Sequence, residues 1–259
     1  MSSGLLLIDF AGNRAEASFE AWPRALLESA IVERVVGGDI PARLSHYVDG
    51  LLERVDRRAP RLIATYCAAA GIGLEVVTAV RRSGEPPPIL VMVEPATTTA
   101  KDVIREFDQI VVKIGGDRHV PRQIDAAQIR ADPVVALDQM SAELRRCVAD
   151  GLGPIGLSGN AEEERIQRED RTDLVEELVG RYRTWLAYLA LTAQASWPAG
   201  APDWDGRVLA VQSATAPAFE WGDGSRVQSQ RIATDPRGLL ANPELHELVS
   251  DLAGLSDST

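Results

Sequence analysis

Pro60-Arg61-Leu62-Ile63-Ala64-Thr65-Tyr66-Cys67-Ala68-Ala69-Ala70-Gly71 decides the fold. Residues 61–66 read as a buried strand, with Leu62-Ile63-Ala64 at its centre. Cys67 ends it, and small residues follow at once. They open an Ala-rich helical segment over residues 68–82, with Leu74, Val77 and Val80 along one face. Ser83-Gly84 stops that helix, Pro86-Pro87-Pro88 stiffens the loop, and Ile89-Leu90-Val91-Met92-Val93 is a second fully apolar strand closed by Glu94-Pro95. Strand, tight turn, helix, loop, strand is the signature of a parallel α/β unit.

The same alternation extends towards the N-terminus. Residues 5–8 read as a buried strand broken by the loop signal Ala11-Gly12-Asn13. Residues 17–29 read as a helix, with Pro23 against its regularity. Residues 31–36 form a β-branched run ended by Gly37-Gly38. Residues 42–58 space Leu44, Val48, Leu51, Leu52 and Val55 as a helix does. Past residue 96 the pattern changes. Residues 97–195 hold no convincing strand and read as helices over about 100–114, 133–149 and 171–193. Residues 151–159 are a loop with four glycines, and Glu162-Glu163-Glu164 is a solvated face or a helix start. Strand signals return at 207–212 and 226–232, and a last helix covers 243–252 with Asn242 as its cap. The expected organisation is an α/β core of residues 1–96 and 204–259, interrupted by a helical insertion, 97–203. The insertion is either a lid over a site or a packed helical subdomain.

Composition narrows the function. The chain of 259 residues is 45% apolar and 25% charged, enough to fill a core and too apolar for wholesale disorder. No run approaches the 18 to 20 apolar residues of a membrane span, and the short apolar start runs into Asp9 without a basic leader, unlike a secretory signal. With two cysteines, Cys67 and Cys147, a disulfide framework is excluded, and a reducing, cytoplasmic setting is expected. A net charge of −11 argues against a dedicated nucleic-acid binder. No His/Asp/Glu cluster has metal-ligand spacing and no Gly-rich phosphate loop follows a strand, so neither a metal nor a cofactor is expected.

A thiol at a strand-to-helix turn has a chemical reading. Free N–H groups at a helix start favour its thiolate, and the N–H of Ala68 would face a developing oxyanion. This is the context of a nucleophile elbow; the alternative is a small cysteine packing a strand end. Residues 60–95 resemble the core of the α/β-hydrolase thioesterases of polyketide and nonribosomal peptide assembly lines, with Thr65-Tyr66-Cys67-Ala68-Ala69 in place of Gly-x-Ser-x-Gly and Glu94 at the strand end that carries the family's acid. Ile8-Asp9-Phe10-Ala11-Gly12 is similar to the family's Phe-Pro-x-Ala-Gly oxyanion loop. Residues 205–211 look like the strand after the lid, and Thr234-Asp235-Pro236-Arg237-Gly238-Leu239-Leu240 resembles the segment of the catalytic histidine. The resemblance implies an α/β-hydrolase fold, Cys67 as nucleophile, Glu94 as acid, backbone amides of Ala11 and Ala68 as oxyanion hole, and Phe10 and Tyr66 in the substrate pocket.

The departures matter equally. Thr65 and Ala69 replace the elbow glycines, Asp9 replaces the oxyanion-loop proline, and Pro236 stands where the histidine would be. A serine would be crippled without that base, whereas a thiol, with pKa near 8.5, is less dependent on one. The implied substrate is an acyl or peptidyl thioester on a phosphopantetheinyl carrier protein, taken up by Cys67 and then transferred, cyclised or slowly hydrolysed. The competing expectations are a degenerate relative that binds an acyl product or a carrier, and non-covalent cyclisation or elimination by Glu94 and Tyr66. Neither nucleic acid nor membrane is expected as a partner. His46, His119 and His246 are not assigned catalytic roles, and Asp235 is a poor base unless buried. Trp185, Tyr188 and Tyr182 form either an acyl tunnel or a helix-packing seam. Trp197, Trp204 and Trp221 mark a partner surface or are covered by loops, and Arg57, Arg58, Arg61, Arg81 and Arg82 are a docking patch or solvated surface.

Overall fold

The computed structural model describes residues 4–10, 18–34, 43–55, 60–115, 124–152, 161–195, 207–219 and 227–255, with side chains in the long helix from residue 169 onward. Six strands form one sheet in the order β2-β1-β3-β4-β5-β6: β1 (Leu5–Asp9), β2 (Ala30–Arg34), β3 (Leu62–Tyr66), β4 (Ile89–Val93), β5 (Val208–Ser213) and β6 (Val227–Ile232). Every pairing is parallel. That agrees with the near-continuous apolar character of β1, β3 and β4, which are buried on both faces.

The register sorts side chains onto two faces. Leu5 and Leu7 stand beside Leu62 and Ala64, and these beside Val91, Val93, Leu209 and Val211. This face packs on Phe19, Trp22 and Leu26, the last from α1 (Arg24–Glu28), and on Leu245 and Val249 of α8 (Pro243–Ala253). The opposite face carries Ile63, Thr65, Leu90 and Met92 and meets α3 (Ala70–Arg82), which itself packs on α2 (Leu44–Arg54).

The chain divides into two compact units, and the second, Thr99–Ala193 in its main part, is helical. It comprises α4 (Ala100–Lys113), α5 (Ala126–Ala131), α6 (Pro133–Gly151) and α7 (Ala161–Thr192). A capping box between Thr99 and Asp102 starts α4. Arg145 to Glu176 at 2.6 Å and Arg183 to Asp138 at 2.7 Å tie α6 to α7.

Three expectations are corrected. The helix expected over 17–29 is a single 3-10 turn, Phe19–Ala21, followed by the five-residue α1. Pro23 caps α1 because it cannot donate within a helix. The long helix begins at Ala161, ten residues before the expected 171, and Glu162-Glu163-Glu164 is its start, one of the two readings given for it above. The helix after Cys67 does not start at once: a 3-10 turn, Cys67–Ala69, precedes α3. Helix α5, six residues long, was not expected at all.

Candidate functional site

Because all six strands are parallel, their carboxyl ends share one edge of the sheet. The chain moves from β1 to β2 in one direction and returns to place β3 on the other side of β1. The crevice outside such a reversal is where open α/β sheets bind ligands. Asp9 and Phe10 end β1 there, and Cys67 follows the last residue of β3. The register continues across the edge: Tyr66 pairs with Val93, so Cys67 and Glu94 leave neighbouring strands side by side.

These two residues are the non-glycine residues with positive φ among those described, 53° at Cys67 and 47° at Glu94. Side chains rarely adopt that conformation, and strain of about 1–3 kcal/mol per residue persists only where surrounding structure enforces it. It is enforced here. Thr65 and Ala69 are fully buried and Ala68 nearly so, while Tyr66 and Cys67 are half-buried and reach solvent. The Ala96 N–H donates to the Cys67 carbonyl at 3.3 Å, locking the two turns together. Ala68 lies at the start of a helical run, where N–H groups lack earlier acceptors.

Thr65, β-branched at this turn, is accommodated by a glycine on the facing helix. A Cβ at Gly73 would lie 2.5 Å from the Thr65 Cγ2 and 2.9 Å from the Leu90 Cδ1. The strand carries the bulk and the helix omits it, so α3 still approaches β3 closely.

Glu94 is held on its other side. Its N–H donates to the Val211 carbonyl at 2.8 Å, and its carboxylate Oε1 accepts from the Ser213 N–H at 2.6 Å. Ser213 is fully buried at the end of β5, and its Oγ has no hydrogen-bond partner among the described residues. The next N–H, of Ala214, donates to the Thr234 carbonyl at 3.1 Å. The segment after β6 is thereby fastened beside the Glu94 turn. In that segment Pro236 is exposed and brings no base, and the exposed Asp235 accepts from the Gly238 N–H at 2.7 Å, which makes it a turn-holding residue. Asp9, fully buried, accepts from the Phe19 N–H at 2.8 Å and ties the end of β1 to the 3-10 turn.

Of the expected site residues, Phe10, Tyr66, Cys67, Ala68 and Glu94 are described, and Ala11 lies outside the described residues, as do His119, Arg57, Arg58, Trp197, Trp204 and Trp221. His46 is exposed on α2. The His246 Nε2 is 2.7 Å from the Leu240 carbonyl, and its ring meets Trp22 edge-on at 5.8 Å, a packing role. Trp185 stacks on Tyr188 at 5.7 Å and donates to Glu106 at 3.1 Å, a packing seam within the helical unit. Arg61, Arg81 and Arg82 are exposed. Among the described residues no group of three or more His, Cys, Asp or Glu is arranged to hold a metal ion, and no helix is long and apolar enough to cross a membrane. Sequence reasoning passed over Ser213 and Arg231. The first meets Glu94 through its main-chain N–H, and the second meets main-chain carbonyls after β5; main-chain partners leave no motif in the sequence.

A parallel sheet of this order has counterparts among solved structures. A protein of Pseudomonas aeruginosa assigned as an epoxide hydrolase matches over 98% of this chain and 89% of its own, at 13% identity and TM-score 0.52. The enol-lactonase of Burkholderia xenovorans LB400 matches over 96% and 91%, at 10% identity and TM-score 0.51. The chain has the α/β-hydrolase fold. The RedJ thioesterase of the prodiginine biosynthetic pathway of Streptomyces coelicolor is similar over 98% of this chain and 87% of its own, at 15% identity and TM-score 0.49. No protein-family model matches the sequence, and no curated protein matches it. Within the α/β-hydrolase fold, Cys67 occupies the strand-to-helix turn after a central strand, and Glu94 the end of the next.

Proposed function

We propose that the protein is a thioesterase-like acyl-transfer enzyme. In this reading Cys67 takes an acyl or peptidyl group from a carrier-bound thioester and passes it to an amine, a thiol, an internal nucleophile of the same chain or, slowly, water. The observation that carries the reading is the positive φ of Cys67 at the β3-to-α3 turn, beside the equally strained Glu94. The sequence motifs around both residues support it. In loading, the Cys67 Sγ attacks the thioester carbonyl; the new C–Sγ bond replaces the donor C–S bond, and the thiol proton of Cys67 leaves on the departing thiol. One thioester replaces another, so little driving force is needed. The N–H groups of Ala68 and Ala11 serve as oxyanion donors, and Phe10 and Tyr66 line the pocket. In discharge the acceptor attacks the Cys67 thioester, and Glu94 takes its proton and returns it to the Cys67 thiolate.

Intact-protein mass spectrometry with short-chain and long-chain acyl-N-acetylcysteamine thioesters tests this. Wild type is expected to gain one acyl mass, and Cys67→Ala none. A wild type that gains no mass and releases no thiol sinks the covalent reading. Pro236, which supplies no base, favours a second reading: a degenerate hydrolase that binds an acyl product or a carrier. Ligand-dependent thermal stabilisation without any adduct is its mark. Turnover that survives in Cys67→Ala marks non-covalent cyclisation or elimination by Glu94 and Tyr66 instead.

A further inference from the structure

We infer that Arg231 is a positioning residue for Glu94; the inference rests on the role proposed for Glu94 above. The Ser213 N–H fixes one carboxylate oxygen of Glu94 at 2.6 Å, and so orients the other. A main-chain donor is only as well placed as the segment that carries it. That segment, leaving β5, is folded back by two side chains. Gln212, buried, donates from Nε2 to the Pro217 carbonyl at 2.6 Å and accepts at Oε1 from the Phe219 N–H at 3.2 Å. Arg231, paired across the strand from Gln212, places its Nη1 3.0 Å from the carbonyls of Ala214 and Ala216 and 3.4 Å from that of Ser213.

A guanidinium gathering the carbonyls of one turn is a fixed cationic clamp, because its donors are planar and permanently charged. It holds the carbonyls of Ser213, Ala214 and Ala216, and through the Ser213 Cα it restrains the preceding peptide group, whose N–H meets Glu94. Arg231 touches no reacting atom in this account. It acts on the Glu94 carboxylate through Ser213, whose carbonyl it meets and whose N–H, in the preceding peptide group, meets Glu94. Arg231 is itself exposed, so its replacement disturbs no core side chain.

The test separates loading from discharge, using octanoyl-N-acetylcysteamine as donor and glycinamide as acceptor, both followed by intact mass. Arg231→Met is expected to load Cys67 at the wild-type rate and to discharge it about 10- to 100-fold more slowly, the effect of a misplaced catalytic group. Arg231→Lys restores most of the rate. Glu94→Gln slows discharge comparably, and the double variant is no slower than Glu94→Gln alone, because both act on one step. Additive losses, or wild-type discharge by Arg231→Met while Glu94→Gln is slow, overturn the inference and leave the Glu94 reading standing. Wild-type discharge by Glu94→Gln overturns both. Hydrogen exchange of the Ser213 amide gives a readout independent of loading: faster exchange in Arg231→Met supports the clamp, and unchanged exchange overturns it.

Discussion

The γ-methyl of Thr65 fills the space that a side chain at residue 73 would need: a Cβ built on Gly73 falls 2.5 Å from it. Strand β3 and helix α3 therefore share one volume, occupied from the strand side. Gly73→Ala is expected to destabilise the protein by about 1–3 kcal/mol, the usual effect of overpacking. Thr65→Ser removes the colliding methyl, so the Thr65→Ser/Gly73→Ala double variant should recover most of the loss. Chemical denaturation of the two single variants and the double measures the coupling. Additive losses would show that the two residues do not share that space.

Strain at Cys67 has its own consequence. At φ 53° every residue with a Cβ is disfavoured and glycine is not. Cys67→Gly is expected to be more stable than Cys67→Ala by about 1 kcal/mol, the strain relieved less the extra freedom glycine gains in the unfolded chain. Neither variant can be acylated at this position. If the alanine variant proves the more stable, the turn is relaxed and holds no strain for the site.

The contrast between what could and could not be read from residues has physical causes. Strand β4 was legible as an unbroken apolar run over 89–93 and is found at Ile89–Val93, because burial on both faces leaves no room for polar residues. Asn242-Pro243 announced α8, and the Asn242 side chain does accept from the Glu244 N–H at 2.9 Å. Of the first ten residues of α7 only Glu162-Glu163-Glu164 hinted at a helix start, since a run of charged residues carries no apolar periodicity. Cys67 and Glu94 stood out as polar residues ending apolar strands. The positive φ of Glu94 was hidden, because the Pro95 that follows it signals extended backbone. The partner of its carboxylate is a main-chain N–H 119 residues away, which no sequence motif encodes.

Tyr47 offers a pH probe of the sheet edge remote from the site. Burial, and then the hydrogen bond from its hydroxyl to Glu33 at 2.7 Å, push its pKa well above the ordinary 10.0. The fold thus favours the protonated phenol. The stability this group contributes is present below about pH 10 and is lost as pH rises towards the folded value. Alkaline titration followed by tyrosinate absorbance should show one phenol that ionises only as the protein unfolds, absent from Tyr47→Phe. That variant should lose about 1 kcal/mol at neutral pH, with Glu33 still paired to Arg54 at 2.6 Å. Ionisation of all tyrosines before unfolding would contradict the buried hydrogen bond.

Pro236 permits a gain-of-function test of the site. The segment that carries it is fastened at the Thr234 carbonyl to the Ala214 N–H, one residue beyond the N–H that holds Glu94. Pro236 is exposed, so replacing it disturbs no core contact. If the segment corresponds to that of the hydrolase histidine, Pro236→His brings an imidazole to the carboxylate already oriented by Ser213 and supplies water with a stronger base than that carboxylate alone. Hydrolysis of acyl-Cys67 should then accelerate by about 100-fold, at the low end for a positioned general base. The gain should vanish in Pro236→His/Glu94→Gln, where the imidazole loses its orienting partner. A double variant that keeps the gain means the new histidine acts without Glu94. A single variant that discharges no faster means that residue 236 does not face Cys67, and the correspondence with a hydrolase triad ends at its acid.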